Sequence, residues 1–385
     1  MKTHALLALI LASGCASAPP PQSSVAAPAP GTASRAPYDS PPVASDTVTI
    51  ELDLDAARRI LALLSAATFN PDEARALESL PAVKAAIRDS KRPPGAFEHD
   101  LAAAFDDKTR VTGFDFRKIR EDRAHWAQLL AMISGREAQL TKLTSDRARA
   151  LLPADRPVSV TLAISLTFGL PGRADHIAVP DADGAGWSVV VDLSRALSDA
   201  QSSLPAEQIQ HLSRLMAAEA YQRAWAEYRA GNPAWQRRDA TLGQLEPLLR
   251  RVAEAGPVAI YSVDENFFPL AVWLKQPMKD NLDELNRVAD RLASAEGDLD
   301  ARMSVAAEIQ KPEFTARVAG PAGAFLADGI IQVLGLDAYR AALAGGPRAF
   351  FSTYGRASER KGSGLVPLGK AIHVQLAATP QPPKP

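Results

Sequence analysis

Three features of the sequence predict an α+β protein, mainly helical, with a small central sheet. Apolar residues recur at helical spacing over most of the chain, as Ile60, Leu61 and Leu64 do. Composition turns β-rich after Leu152-Pro153-Ala154, where Val158 to Phe168 interleaves Thr and Ser with apolar side chains. Helical spacing then returns after Pro205. The simplest arrangement is a sheet of two to four strands, antiparallel or mixed, wedged between helical blocks.

The elements follow in order. Val48 to Leu54 alternates like a short strand, and Asp53 or Asp55 is placed to cap the helix expected over Ala56 to Ala67. Asn70-Pro71-Asp72-Glu73 is a helix start, with proline where its missing N–H costs nothing. Helices are expected over Pro71–Leu77, Pro81–Asp89, Gly95–Phe105, Asp115–Ile133 and Arg136–Leu151, with a break at Lys91-Arg-Pro-Pro94. Val158 to Phe168 is one long strand or a strand pair. Gly169 to Gly186 is a turn region that contains His176, and Trp187 to Leu193 is another strand.

A long helix runs from Pro205 to about Ala230 and is broken by Gly231-Asn232-Pro233. Thr241 to Ala255 is the next helix, stopped by Gly256-Pro257; Pro277–Glu296 and Gly297–Ala307 form a helical hairpin. Gly320 to Leu334 is rich in Gly and Ala and suits close packing against a neighbour; Leu336–Leu343 and Pro347–Tyr354 follow. The tail beyond Gly362 holds one apolar stretch, Ala371 to Ala377, before a Pro-rich end expected to be disordered.

The N-terminus carries an address. Met1-Lys-Thr-His4 is a short basic leader, and the apolar run from Ala5 to Ala12 is too short to span a bilayer. It ends in Ala12-Ser13-Gly14-Cys15, which resembles the lipobox of bacterial lipoproteins, and Cys15 is the single cysteine of the 385 residues. The resemblance implies cleavage after residue 14, acylation of Cys15 with palmitate-type chains and anchoring to a membrane of the cell envelope, expected to be the outer membrane of a Gram-negative cell. Residues 15–46 are rich in Pro, Ala and Ser and are expected to form a disordered tether. Residues 47–153 are then an N-terminal helical subdomain, 154–356 an α+β subdomain and 357–385 a C-terminal tail. One cysteine excludes an internal disulfide, and 43 basic against 44 acidic residues give no electrostatic footprint for nucleic acid.

The order of elements resembles a family of bacterial predicted zinc-dependent peptidases of the gluzincin type, often lipoproteins or secreted proteins. Val158 to Gly169 is similar to the family's strand running into glycine, and Trp187 to Leu193 to the strand before the metal helix. Gln208 to Tyr228 takes the place of that helix, and Glu254-Ala-Gly256 of the helix that supplies the third ligand. Gly320-Pro-Ala-Gly-Ala-Phe-Leu-Ala327, Gly335, Pro347, Phe350 and Tyr354 resemble the closing helices.

Such a peptidase needs His-Glu-x-x-His, because residues four apart on a helix face the same way and the glutamate activates the metal-bound water. Here His211 stands at the first histidine, Leu212 replaces the glutamate and Leu215 replaces the second histidine. Glu254 matches the third ligand, and Glu219 lies about 12 Å along the axis from His211, too far to share an ion. With neither the three-ligand platform nor the general base, the resemblance implies an inactive scaffold with no catalytic residue, metal or cofactor. His211, Leu212, Leu215, Glu219 and Glu254 are the residues expected to line the inherited cleft, and a peptide or protein is the expected partner. A peptidase with a relocated metal site and an envelope scaffold without cleft function are the two rivals.

Other constellations point to structure. His99, His125, His176 and His373 lie in separate segments and form no ligand-spaced pair; His176, in the Gly/Asp region, is the best placed to bind. Asp181-Ala-Asp-Gly184 lacks the further ligands of a calcium loop, Gly169-Leu-Pro-Gly172 lacks the ending of a phosphate loop, and Ser262 and Ser352 have no nucleophile-elbow context. Arg237-Arg238 and Arg250-Arg251 are expected on solvated helix faces, and Trp225, Tyr228 and Trp235 as core residues between helices.

Overall fold

A computed structural model describes residues 47–111, 113–171, 175–180, 187–197, 205–263, 272–295 and 297–378. The leader, Cys15 and the tether therefore lie outside the described residues, as does Asp181-Ala-Asp-Gly184. The chain is mainly helical with a four-stranded mixed sheet.

Strand β1 (Thr47–Asp53) leads into a helical array of α1 (Asp55–Ser65), α2 (Pro71–Leu77), α3 (Pro81–Ser90), α4 (Ala96–Ala103), α5 (Phe116–Glu121), α6 (Arg123–Gly135) and α7 (Glu137–Arg149). The chain then returns as β2 (Ser159–Thr167), parallel to β1 with Ile50 opposite Leu162. Next come β3 (His176–Pro180), β4 (Trp187–Asp192) and a short helix α8 (Leu193–Ala196). The sheet order is β1-β2-β4-β3, with β4 parallel to β2 and β3 antiparallel to β4.

Beyond the sheet lie α9 (Pro205–Gly231), α10 (Pro233–Gln236), a 3₁₀ turn (Ala240–Leu245), α11 (Glu246–Val263), α12 (Val272–Ser294) and α13 (Leu299–Gln310). They are followed by α14 (Pro312–Phe314), a π-helical turn (Thr315–Ala319), α15 (Gly320–Leu334), α16 (Leu336–Ala344), α17 (Gly346–Ser358) and α18 (Lys370–Ala377). One apolar cluster runs through all of this, from Val48 to Ile372. The apolar stretch near the C-terminus is α18, fixed by Gly369 N donating to Asn286 Oδ1 at 2.9 Å and Arg348 Nη2 donating to the Leu376 carbonyl at 2.6 Å.

Local chemistry explains several boundaries. Asn70 Oδ1 accepts from the N–H groups of Asp72 and Glu73 at 3.0 and 3.3 Å, so α2 starts where the Asn-Pro signal placed it. Neither Asp53 nor Asp55 caps α1: the residue at its N-cap is Leu54, with no side-chain cap, and Asp53 Oδ1 only accepts the N–H of Asp55, the first residue of the helix, at 2.8 Å.

Three expectations are corrected. The single helix expected over Asp115–Ile133 is two, divided at Asp122, where φ −94° and ψ 18° leave the helical region. His176 is not in a turn: it opens the edge strand β3, whose half-buried side chains lack a wet/dry alternation that would mark them. Helix α11 does not stop at Gly256-Pro257 but runs through it to Val263. A Cβ on Gly256 would come within 2.5 Å of the Gly323 backbone, and one on Gly323 within 2.5 Å of the Val252 carbonyl. These glycines therefore let α11 and α15 touch backbone to backbone, as the Gly/Ala-rich α15 led one to expect.

Candidate functional site

Helix α9 crosses the middle of the protein, packed against α7, β2 and α11. Its residues divide by face. Leu212, Met216, Ala217 and Ala220 are fully buried, while His211, Leu215 and Ala218 are half-buried on the neighbouring stripe. Leu212 is thus a core residue, not a wall of a cleft, and Leu215 packs against the same core from its rim. Burial of an apolar side chain here needs no partner, whereas a carboxylate at 212 would be desolvated without one.

Glu219, two turns on from His211, is buried and engaged. Its Oε1 lies 3.1 Å from His176 Nε2 on β3, and the other ring nitrogen, Nδ1, lies 2.7 Å from Asp175 Oδ1. The imidazole is therefore clamped between two carboxylates. Burial works against its charge, but the hydrogen bonds and charges of Asp175 and Glu219 outweigh that and push the pKa up to about 10. Burial likewise raises Asp175, and His176 more than offsets it, so this carboxyl titrates below its ordinary value. At neutral pH His176 is an imidazolium with both N–H groups donating. It has no lone pair for a metal and cannot act as a general base.

A second polar tie sits beside it. The buried guanidinium of Arg147 on α7 donates from Nη1 to the Gln210 carbonyl at 2.7 Å and to Ser213 Oγ, and from Nη2 to Gln210 Oε1. Tyr261 OH on α11 donates to the Arg147 carbonyl at 2.8 Å. Arg223 of α9 lies 5.1 Å from the ring centre of Trp187 on β4. The second half of α9 is aromatic: its Tyr221, Trp225 and Tyr228 stack in succession, Tyr261 of α11 stacks on Tyr221 and Trp235 of α10 lies edge-on to Trp225, and all are buried. These rings fill the core as expected.

Glu254 is far from His211. Its carbonyl accepts from Trp225 Nε1 at 3.0 Å, and its carboxylate pairs with Arg229 at 2.9 Å. Trp225 stands about 21 Å along the helix axis from His211, so the two expected cleft residues cannot meet, nor can Glu254 serve as the partner of His211. The zinc ion that a gluzincin resemblance implies does not fit these side chains. The base position is core leucine, the second ligand position is a leucine at the core rim, and the third carboxylate is held by a guanidinium. Among the described residues, no group of three or more His, Cys, Asp or Glu is placed to hold a metal ion.

Family models, curated proteins and solved structures gave no match to this chain.

The remaining histidines are scattered: His99 Nε2 lies 3.2 Å from the Arg110 carbonyl, His125 packs edge-on to Trp126, and His373 is exposed on α18. The arginine pairs differ from one another. Arg237 and Arg238 are exposed, but Arg250 and Arg251 are structural clamps rather than solvated faces. Arg250 bonds Glu246 at 2.5 Å and the Arg237 carbonyl at 2.6 Å, and Arg251 bonds Thr315 Oγ1 at 2.6 Å. Two of the site's ties escaped the sequence. Arg147 follows Leu140 and Thr144 on the buried stripe of α7, a periodicity that could have exposed it. The His176–Glu219 pair joins residues 43 apart and carries no local signal.

Proposed function

We propose that this chain is a lipid-anchored protein of the bacterial envelope that binds a peptide or protein partner and hydrolyses nothing, on a gluzincin-type scaffold whose metal helix has become a core helix. One observation carries the reading: Leu212, at the position of the catalytic glutamate, is fully buried in the apolar core. The distance between His211 and the Arg229-bound Glu254 agrees with it. The succession of strand β4 and helices α8 and α9 supports the scaffold reading, because the resemblance puts a strand before that helix. For the anchor, the support is the placement of the sole cysteine after Ala12-Ser13-Gly14; no helix among the described residues is long and apolar enough to cross a membrane.

The test is made on the mature, unlipidated protein by metal analysis and peptide cleavage, with and without chelator. The expected result is no stoichiometric zinc and no chelator-sensitive cleavage. One zinc per chain together with chelator-sensitive cleavage overturns the reading. In a bacterial host, Cys15→Ser is expected to move the full chain from the membrane to the soluble fraction; unchanged membrane association would remove the anchor.

A further inference from the structure

Strand β1 is one edge of the sheet. Thr47 donates its N–H to the Val158 carbonyl at 2.8 Å, and the parallel register pairs Thr47 with Ser159 through Asp53 with Ser165. In a parallel ladder a residue's N–H and C=O point the same way and alternate along the strand. The odd residues of β1 therefore face β2, and Val48, Ile50 and Leu52 turn their backbone groups outward. The outward carbonyl of Val48 is taken by Ser145 Oγ of α7. Among the described residues, no backbone or side-chain bond reaches the outward N–H and C=O of Ile50 and Leu52.

A groove of about 590 Å³ runs along just this part of the edge, between Ile50, Glu51 and Leu52 on one side and Gly135, Glu137 and Ala138 at the α6–α7 turn on the other. Its charged lining residues are Glu51 and Glu137, both exposed and neither in an ion pair among the described residues. Of the cations nearby, Arg58 is held by Ser134 Oγ at 2.8 Å, and Arg136, between Gly135 and Glu137 at the α6–α7 turn, is exposed.

We infer that this groove takes an extended peptide segment bearing Lys or Arg, which adds to β1 as a fifth strand. The unpaired amides and carbonyls supply main-chain hydrogen bonds, as in other strand additions, and the two glutamates select the cationic side chain. The open length, Ile50 to Leu52, is about 10 Å, matched to a short segment of another chain. It is too short for a two-fold ladder between two copies, because Ser145 and α7 close the edge at Val48. The chain's own residues 16–45 suit it poorly, since they are rich in proline, which lacks the donor that a ladder needs. The inference rests on the binding reading above and assigns that binding a place.

The probe is an octapeptide of alternating Val and Lys, compared with its Val/Glu counterpart, on the full unlipidated chain. Amide exchange of Ile50 and Leu52 is expected to be fast in the free protein and slowed by the Val/Lys probe, with affinity at least tenfold above that for Val/Glu. Ala138→Trp, at an exposed groove residue, and the surface double change Glu51→Lys with Glu137→Lys are each expected to weaken probe binding at least tenfold. Urea midpoints will show that both variants remain folded. Protection of Ile50 and Leu52 before the probe is added means that the edge is already filled, by a second copy or the tether, and overturns the inference. Probe binding that is insensitive to Ala138→Trp, or no probe binding at all, overturns it as well. A chain that lacks zinc and cleavage but ignores the probe loses only this inference, whereas zinc-dependent cleavage removes the binding reading beneath it.

Discussion

From Tyr221 onward α9 is held by stacked rings, with Tyr221, Trp225 and Tyr228 in file and the indole of Trp225 bonded to the Glu254 carbonyl. Before Glu219 the same helix is held by charges: Arg147 on Gln210 and Ser213, and His176 on Glu219. The aromatic half is held by ring packing and by hydrogen bonds from Trp225 and Tyr228 whose donors keep their protons near neutral pH, so its strength changes little between pH 7 and pH 9. The polar half needs every partner present, because a charge left alone in a buried place costs far more than the pair contributes. The half at which the resemblance puts metal chemistry is thus the half tied by the hydrogen bonds of Arg147 and the ion pairs of His176, with Leu212 buried in the apolar core beside them.

The largest expected effect comes from forcing the two chemistries together. Leu212→Glu, with or without Leu215→His, introduces the residue types of a zinc helix but sets a carboxylate in the apolar core, at a cost of at least about 4 kcal/mol. Leu215→His alone changes a half-buried residue and should cost well under half of that. Urea unfolding of the two single variants checks the difference. If Leu212→Glu is as stable as the parent chain, the helix face is not sealed and the comparison fails.

Next in size is the aromatic half. Trp225→Ala removes a fully buried indole from the middle of the stack and should cost about 3–5 kcal/mol, by the same amount at pH 7 and pH 9. Thermal or urea unfolding at the two pH values measures it. A pH-dependent loss would mean that this half too relies on titrating groups.

How much of this could be read from the chain depends on whether the cause was local. Asn70-Pro71 at the start of α2 and the Gly/Ala run of α15 act through neighbours in sequence, and both elements lie where they were expected. Gly256-Pro257 misled because the same glycine that signals a stop also permits contact with Gly323, which only the packing reveals. Strand β3 was hidden because an edge strand half-buried along its length has no alternation, and its five residues sit among turn formers. At the site, Leu212 and Leu215 were legible as side chains that cannot serve zinc chemistry, but the separation of Glu254 from His211 depends on how α9 and α11 are set against each other. The open edge of β1 is likewise a property of sheet order, not of Thr47–Asp53.

The polar half yields the smallest effect and the sharpest test. The folded-state pKa of His176 is about 10, above the ordinary 6.5, so its contribution is complete below about pH 6.5 and is lost as pH rises through 10. Asp175, lowered by the same contact, contributes above its ordinary value of 3.8 and loses that contribution as pH falls through its folded pKa, so the cluster is at full strength in weakly acidic solution, between those two ordinary values. His176→Gln keeps hydrogen-bonding groups near both carboxylates but cannot carry charge, and should cost about 2 kcal/mol at pH 6. The cost should shrink steadily between pH 7 and pH 10, because the parent chain loses there what the variant never had, while lysine and tyrosine titrations common to both cancel. Unfolding free energies of the two chains at pH 6, 8 and 10 give the difference directly. A difference that stays flat would mean that Asp175 and Glu219 hold a neutral ring, and the contrast between the two halves of α9 would be one of shape rather than of charge.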